Sequence, residues 1–123
     1  MDHNAVGWFE IYVDDIERAK QFYETVLGVK LEKLPSPDVV MWAFPGNPEG
    51  SGSSGSLVHM EGYKAGGNST IVYFICDDCA VQEERVAASG GKVFKSKFSI
   101  GPYGFIALVH DTEGNIIGLH SMK

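Results

Sequence analysis

At 123 residues, 44% of them hydrophobic and 21% charged, the chain has apolar material for one core but is too short for two independent domains. Its formal net charge of -6 argues against general nucleic-acid binding, where clustered Lys and Arg must neutralise phosphate. No apolar run approaches a membrane span, no basic amphipathic run suggests a membrane surface, and the opening MDHNAVGW has no features of a secretion signal; a soluble cytoplasmic protein is expected.

Residues 7–28, GWFEIYVDDIERAKQFYETVLG, read as a strand, an acidic corner, a helix and a glycine stop. Phe9, Ile11 and Val13 alternate with Trp8, Glu10 and Tyr12, the period-2 pattern of a strand with two unlike faces. Asp14 and Asp15 place carboxylates where free N–H groups and the dipole at a helix start favour them. From Ile16, apolar residues fall at Ala19, Phe22, Tyr23, Val26 and Leu27, one helical face, and Gly28 suits the left-handed stop.

The pattern returns at a constant offset of 63 residues, with Asp14 matching Asp77, Asp15 matching Asp78 and Gly28 matching Gly91. Residues 70–76 (TIVYFIC) are the strand, 79–89 the helix and Gly90-Gly91 the stop. A fixed-period repeat makes the chain two copies of one module. Each copy is marginal alone, so the two are expected to share a sheet or pair with another chain.

Between the repeats, residues 29–34 (VKLEKL) predict a second strand, 39–44 (VVMWAF) a third and 56–60 (SLVHM) a fourth. Residues 47–55 (NPEGSGSSG) are rich in Gly and Ser, and a solvated loop is the simpler expectation than a cover over a site. In the second copy, residues 92–95 predict a strand and 96–103 a connection. A strand at 104–110, a turn at 111–115 (DTEGN) and a last strand at 116–121 follow. Phe9, Ile11, Val72, Phe74, Ile117 and Leu119 are the predicted core. Cys76 and Cys79 have the spacing of a redox dithiol, but the repeat accounts for both positions without redox chemistry.

The tandem modules, with DD-IERAKQFYETVLG at the first helix and DTEGNIIGL before the last strand, resemble the vicinal oxygen chelate superfamily of glyoxalases, bleomycin- and fosfomycin-resistance proteins and extradiol dioxygenases. The resemblance covers essentially the whole chain, as one domain with module one at about 5–60 and module two at about 68–123. It implies an α+β fold in which tandem βαβββ modules form a curled, barrel-like mixed sheet with helices on the outer face. It also implies a homodimer whose cavity can draw on both subunits. Metal-dependent members place His, Gln or Glu on the first and last strand of each module. Those positions fall here at Trp8, Ile71, Val58 or His59, and Gly118. Three or four ligands are needed, and these positions offer one donor at most, so no metal ligand and no cofactor is expected. Lyase or dioxygenase chemistry by the usual route is then not implied.

By alternation, Trp8, Glu10 and Tyr12 share the helix-free face with Ile71, Tyr73, Ile75, Ile116, Gly118 and His120. Tyr103, Phe105 and His59 are expected nearby, joined by Met41 or Trp42. This aromatic, mostly apolar surface suits a small-molecule pocket, with Trp8 as a stacking platform and Gly118 leaving room for a ligand or for Trp8. Trp8, Tyr73 and Phe105 can equally fill the sheet interior or a dimer interface. Glu10, if buried, becomes a candidate base or cation anchor, and a solvated rim position if not. His59 and His120 are candidate acid–base partners for it, or structural hydrogen-bonders. His3 and His110 receive no role. Three readings follow: a metal-free binding protein for a small apolar or aromatic molecule, a lyase or isomerase with Glu10, His59 or His120 as general base, and a metalloenzyme with these three as relocated ligands.

Overall fold

The computed structural model describes residues 3–123 as an α+β fold of two βαβββ units. The first contains β1 (Phe9–Tyr12), α1 (Ile16–Leu27), β2 (Glu32–Leu34), β3 (Val40–Ala43) and β4 (Gly55–His59). The second contains β5 (Tyr73–Ile75), α2 (Cys79–Val86), β6 (Lys92–Ser99), β7 (Phe105–His110) and β8 (Ile116–Ser121). Each unit forms its own four-stranded mixed sheet, ordered β1-β4-β3-β2 and β5-β8-β7-β6. The first strand of each runs parallel to the last, and the other neighbours are antiparallel. β1 and β5 are therefore edge strands, and they meet along a seam where the Phe9 and Phe74 rings lie 6.0 Å apart.

Both helices start as the repeat requires, but the left-handed stop that Gly28 provides falls in the second module at Gly90, not at its matched residue Gly91. Asp15 caps α1 by accepting from the Arg18 N–H at 3.1 Å, and Asp78 caps α2 by accepting from the Ala80 N–H at 3.0 Å. Gly28 ends α1 at φ +68°. α2 finishes in a 3-10 turn, Ala87–Ser89, closed by Gly90 at φ +94°.

α1 buries Ala19, Phe22, Tyr23 and Val26 against the same core that receives Cys79 and Val86 from α2. Removing side chains such as Phe22 or Val26 from water is worth about 1.5–3 kcal/mol each, which is what holds the helices on the sheets. Ile11, Ile117 and Leu119 are buried in this core, with Phe9 and Phe74 packed on it. Val72 is half-buried at the seam. Both modules feed one cluster, so neither closes its core alone.

Two local expectations change, in β6 and β2, while the cysteines keep the structural role the repeat gave them. β6 runs to Ser99 instead of stopping at Lys95, because two register shifts against β7 break the alternation that marks a strand. β2 begins only at Glu32, since Leu31 turns inward and its N–H is taken by the Glu24 carboxylate at 2.9 Å. Cys76 and Cys79 are free, buried thiols. Burial pushes the Cys76 thiol up to about 11, Cys79 adding to the effect, which disfavours the thiolate a redox dithiol needs.

Candidate functional site

Two cavities lie along the seam, and Phe9, Thr70 and Val72 line both. The larger, about 780 Å³, is floored by Phe9, Phe44 and Phe74, whose ring centroids lie 5.4–6.0 Å apart. Trp8, Ile71 and Tyr73 form its mouth, Ser51, Gly52 and Ser53 one wall, and Gln82 of α2 another. Among the described residues, the Tyr73 phenol is the one ionisable side chain in its lining. The smaller cavity, about 270 Å³, contains Glu10, Tyr12 and Lys64.

The helix-free face is laid out as the alternation predicts. On β1 the carboxylate of Glu10 accepts from the Trp8 indole at 3.3 Å and from the Tyr12 hydroxyl at 3.2 Å. Burial, and then Glu10 itself, raise the Tyr12 phenol above its ordinary value, so it stays protonated as a donor. On the second sheet the Tyr73 ring lies over Gly118 of the neighbouring strand, where any Cβ would overlap it. The space at Gly118 therefore belongs to Tyr73, not to Trp8 or a ligand.

The implied metal positions do not fit a metal. Glu10 and Tyr73 match at the 63-residue offset; Glu10 pairs with Ser56 and Tyr73 with Gly118. The counterpart of Gly118 in the first module is thus Ser56, not Val58 or His59. The four positions become Trp8, Ser56, Ile71 and Gly118, one hydroxyl among them. Among the described residues no group of three His, Cys, Asp or Glu side chains could hold a metal ion.

The proposed acid–base set is not assembled either. Glu10 is exposed, not buried. His59 lies on the same side of its strand as Leu57, and its Nδ1 donates to the Val13 carbonyl at 3.0 Å. His120 is on the helix-free face, but its Nε2 donates to the Tyr103 carbonyl at 2.7 Å. Phe105 pairs with Ser121 and packs on the core, with Lys97 over its ring at 4.8 Å. Phe105 is thus on the core side: alternation along β7 puts it on the face of the buried Ala107 and Val109. Tyr103 is 73% exposed and lines neither cavity. Of Met41 and Trp42, register places Met41 on the helix-free side, while Trp42 lies under the Lys20 ammonium at 3.9 Å.

Two features of the larger cavity were missed in the sequence. Gln82 looks like any polar helix residue, yet its Oε1 is buried without a partner. Residues 51–53 look like solvated loop, yet they form a wall. A hint lay in NPEGS at 47–51, which repeats the DTEGN of 111–115.

Tandem βαβββ modules with an apolar cavity between their edge strands define a class of small, two-module cavity proteins. A family profile described as bleomycin resistance protein-like N-terminal matches residues 6–44. A glyoxylase-like domain-containing protein of Didymella fabae is 30% identical over 122 residues, spanning 92% of this chain and 90% of that protein. The structure is similar to that of TnmS3, an antibiotic binding protein from Streptomyces sp. CB03234, at 27% identity and TM-score 0.73, over 98% of each chain. It shares the fold of glyoxalase I from Zea mays at 23% identity and TM-score 0.75, over 94% of this chain and 45% of that one. The chain belongs to the vicinal oxygen chelate superfamily as a glyoxalase/bleomycin-resistance-like protein.

Proposed function

We propose that this protein binds a small apolar or aromatic molecule in the seam cavity without a metal, and works as a cytoplasmic homodimer. The observation that carries the reading is the cavity itself: about 780 Å³, aromatic-floored, flanked by Trp8 and Tyr73. Its volume falls in the usual range for small-molecule sites, and its lining is what an apolar ligand needs. The likeness to an antibiotic binding protein is in keeping with this role. A homodimer would cover apolar side chains of the helix-free faces such as Ile75, 70% exposed in the single chain. The lyase or isomerase reading gains no support, since Glu10, His59 and His120 are each engaged elsewhere.

The test is thermal-shift and calorimetric titration with neutral naphthalene derivatives, in wild type and in Trp8→Ala. Binding weakened by about tenfold or more in the variant is expected from the loss of a stacking ring. Unchanged affinity in Trp8→Ala would remove the cavity mouth from the function. Sedimentation of the untagged protein checks the dimer.

A further inference from the structure

We propose that the helix-free face at β1 carries a second binding site, which takes small quaternary ammonium ions on the Glu10 carboxylate, between the side chains of Trp8 and Tyr12. The inference stands apart from the larger cavity and its ligand, with Trp8 the one residue of this trio that also lines that cavity. Glu10 is exposed, and exposure alone would leave it a solvated carboxylate. Its neighbours change that. The Trp8 indole N–H donates to one carboxylate oxygen at 3.3 Å, and the Tyr12 hydroxyl donates to the other at 3.2 Å. Two neutral donors thus fix the carboxylate in place before a ligand arrives, which lowers the ordering cost of binding. A carboxylate offers about four acceptor sites, and these bonds occupy one on each oxygen. No cation compensates the charge among the described residues: the two ion pairs there join Arg18 to Glu113 and Lys97 to Asp78. Lys64 borders the smaller cavity together with Glu10 and Tyr12, yet forms no ion pair with Glu10.

The aromatic setting chooses among cations. Trp8 is 44% exposed, and Tyr63, whose ring centroid lies 5.7 Å from that of Tyr12, is 58% exposed. A primary ammonium placed here would exchange strong hydration for ring surface that accepts its N–H groups poorly. A quaternary ammonium has no N–H to leave unpaired. Its methyl groups gain dispersion and cation–π attraction where they meet a ring, and the carboxylate answers its charge. The net charge of -6 draws cations toward the molecule as a whole.

The experiment is an NMR titration of the full chain, following the Trp8 indole N–H. The probes are choline, its neutral isostere 3,3-dimethyl-1-butanol, and ethanolamine, with 2-naphthol reporting separately on the larger cavity. Choline is expected to bind about tenfold tighter than either the alcohol or ethanolamine. Glu10→Gln, at an exposed position, is expected to bring choline to the affinity of the alcohol and leave 2-naphthol within about twofold. Tyr12→Leu is expected to narrow the preference for choline over ethanolamine. If Tyr12→Leu does not fold, Tyr63→Leu at its exposed loop position carries the same expectation. Choline no tighter than the alcohol, or choline binding indifferent to Glu10→Gln, overturns the inference while the cavity stands on its naphthol affinity. Ethanolamine equal to choline in wild type overturns the quaternary selectivity assigned to the rings. Choline bound by a wild type that ignores 2-naphthol and other neutral naphthalenes overturns the cavity reading alone.

Discussion

At one end of the seam, the turn 111–115 is drawn tight against the start of α1; at the other, the matching turn 47–51 stands off from the start of α2. The two turns are built alike. Glu113 N–H donates to Asp111 Oδ1 at 2.8 Å, and Glu49 N–H donates to Asn47 Oδ1 at 3.0 Å. At the tight end the Glu113 carboxylate accepts from the N–H groups of Asp14 and Asp15 at 3.0 and 2.8 Å, and from Arg18 at 2.7 Å. Asn115 Nδ2 donates to the Tyr12 carbonyl at 3.0 Å. At the other end Glu49 is exposed, and the α2 start is held instead by Ser121 Oγ, accepting from Cys79 N–H at 3.0 Å. The cause is countable. Asn47 matches Asp111 at 111 - 47 = 64, whereas Ser56 matches Gly118 at 118 - 56 = 62, so the first module carries two extra residues, Gly52-Ser53. A duplicated clasp, loosened by two residues, has become a cavity wall.

Removing the clasp should have the largest effect on stability. Glu113→Ala leaves two N–H donors in a part-buried site without their acceptor, and a loss of about 3 kcal/mol is expected in urea unfolding at pH 7. Burial alone would raise the Glu113 carboxyl; the Arg18 guanidinium, the Asp15 N–H and the Thr112 hydroxyl outweigh it and hold it below the ordinary value. A depressed folded-state value stabilises above the unfolded pKa and is lost as pH falls through the folded one. Glu113→Gln should therefore show a flatter acid limb than wild type.

Tyr23→Phe comes next. The Tyr23 hydroxyl donates to Asp111 Oδ2 at 2.6 Å from full burial, and the carboxylate keeps Glu113 N–H, Asn115 N–H and Asn115 Nδ2 without it. A loss of about 1–2 kcal/mol is expected at pH 7. Burial, then Asp111, raises the phenol well above its ordinary value. A raised folded-state value stabilises below the unfolded pKa, about 10, and is lost as pH climbs toward the folded one. The wild-type advantage should therefore shrink above about pH 10.

These contrasts also mark what can be read from residues alone. The alternation about Phe9 and Ile11, the caps at Asp15 and Asp78 and the stop at Gly28 are local, and each stands where its chemistry requires. The family was legible for the same reason, in FYETVLG and DTEGNIIGL. Register across sequence distance was not. The counterpart of Gly118 was expected at Val58 or His59 and belongs to Ser56, because only the pairing of β4 with β1 fixes which residue of that strand answers it. Phe105 lies on the core side with Ala107 and Val109, which alternation along residues 104–110 already implies. Gln82 was invisible because its peculiarity is an absent partner, which only packing reveals.

Deleting Gly52-Ser53 turns the comparison into an experiment. The shortened loop should adopt the register of 111–116 and close on the seam beside Ile75, since Gly52 already lies against that side chain. Binding of 2-naphthol should fall at least tenfold as the wall moves inward. Stability should change by less than about 1 kcal/mol, because shortening a flexible loop by two residues alters closure entropy only slightly. Retained binding in a folded deletion variant would show that these residues do not set the cavity.

Glu49→Ala is the smallest change and the sharpest control. The Glu49 side chain is exposed and, among the described residues, accepts no hydrogen bond comparable to those on Glu113, so the urea midpoint and naphthol affinity should match wild type. In the deletion background the same substitution has a different meaning. If the shortened turn docks as its counterpart does, the Glu49 carboxylate reaches the N–H groups at the start of α2, and its loss should lower the urea midpoint measurably. The coupling between deletion and substitution is the quantity to measure, since independent sites would show none. A coupling of zero would mean that the α2 start, already served by Ser121 and Lys97, has no place left for a second clasp.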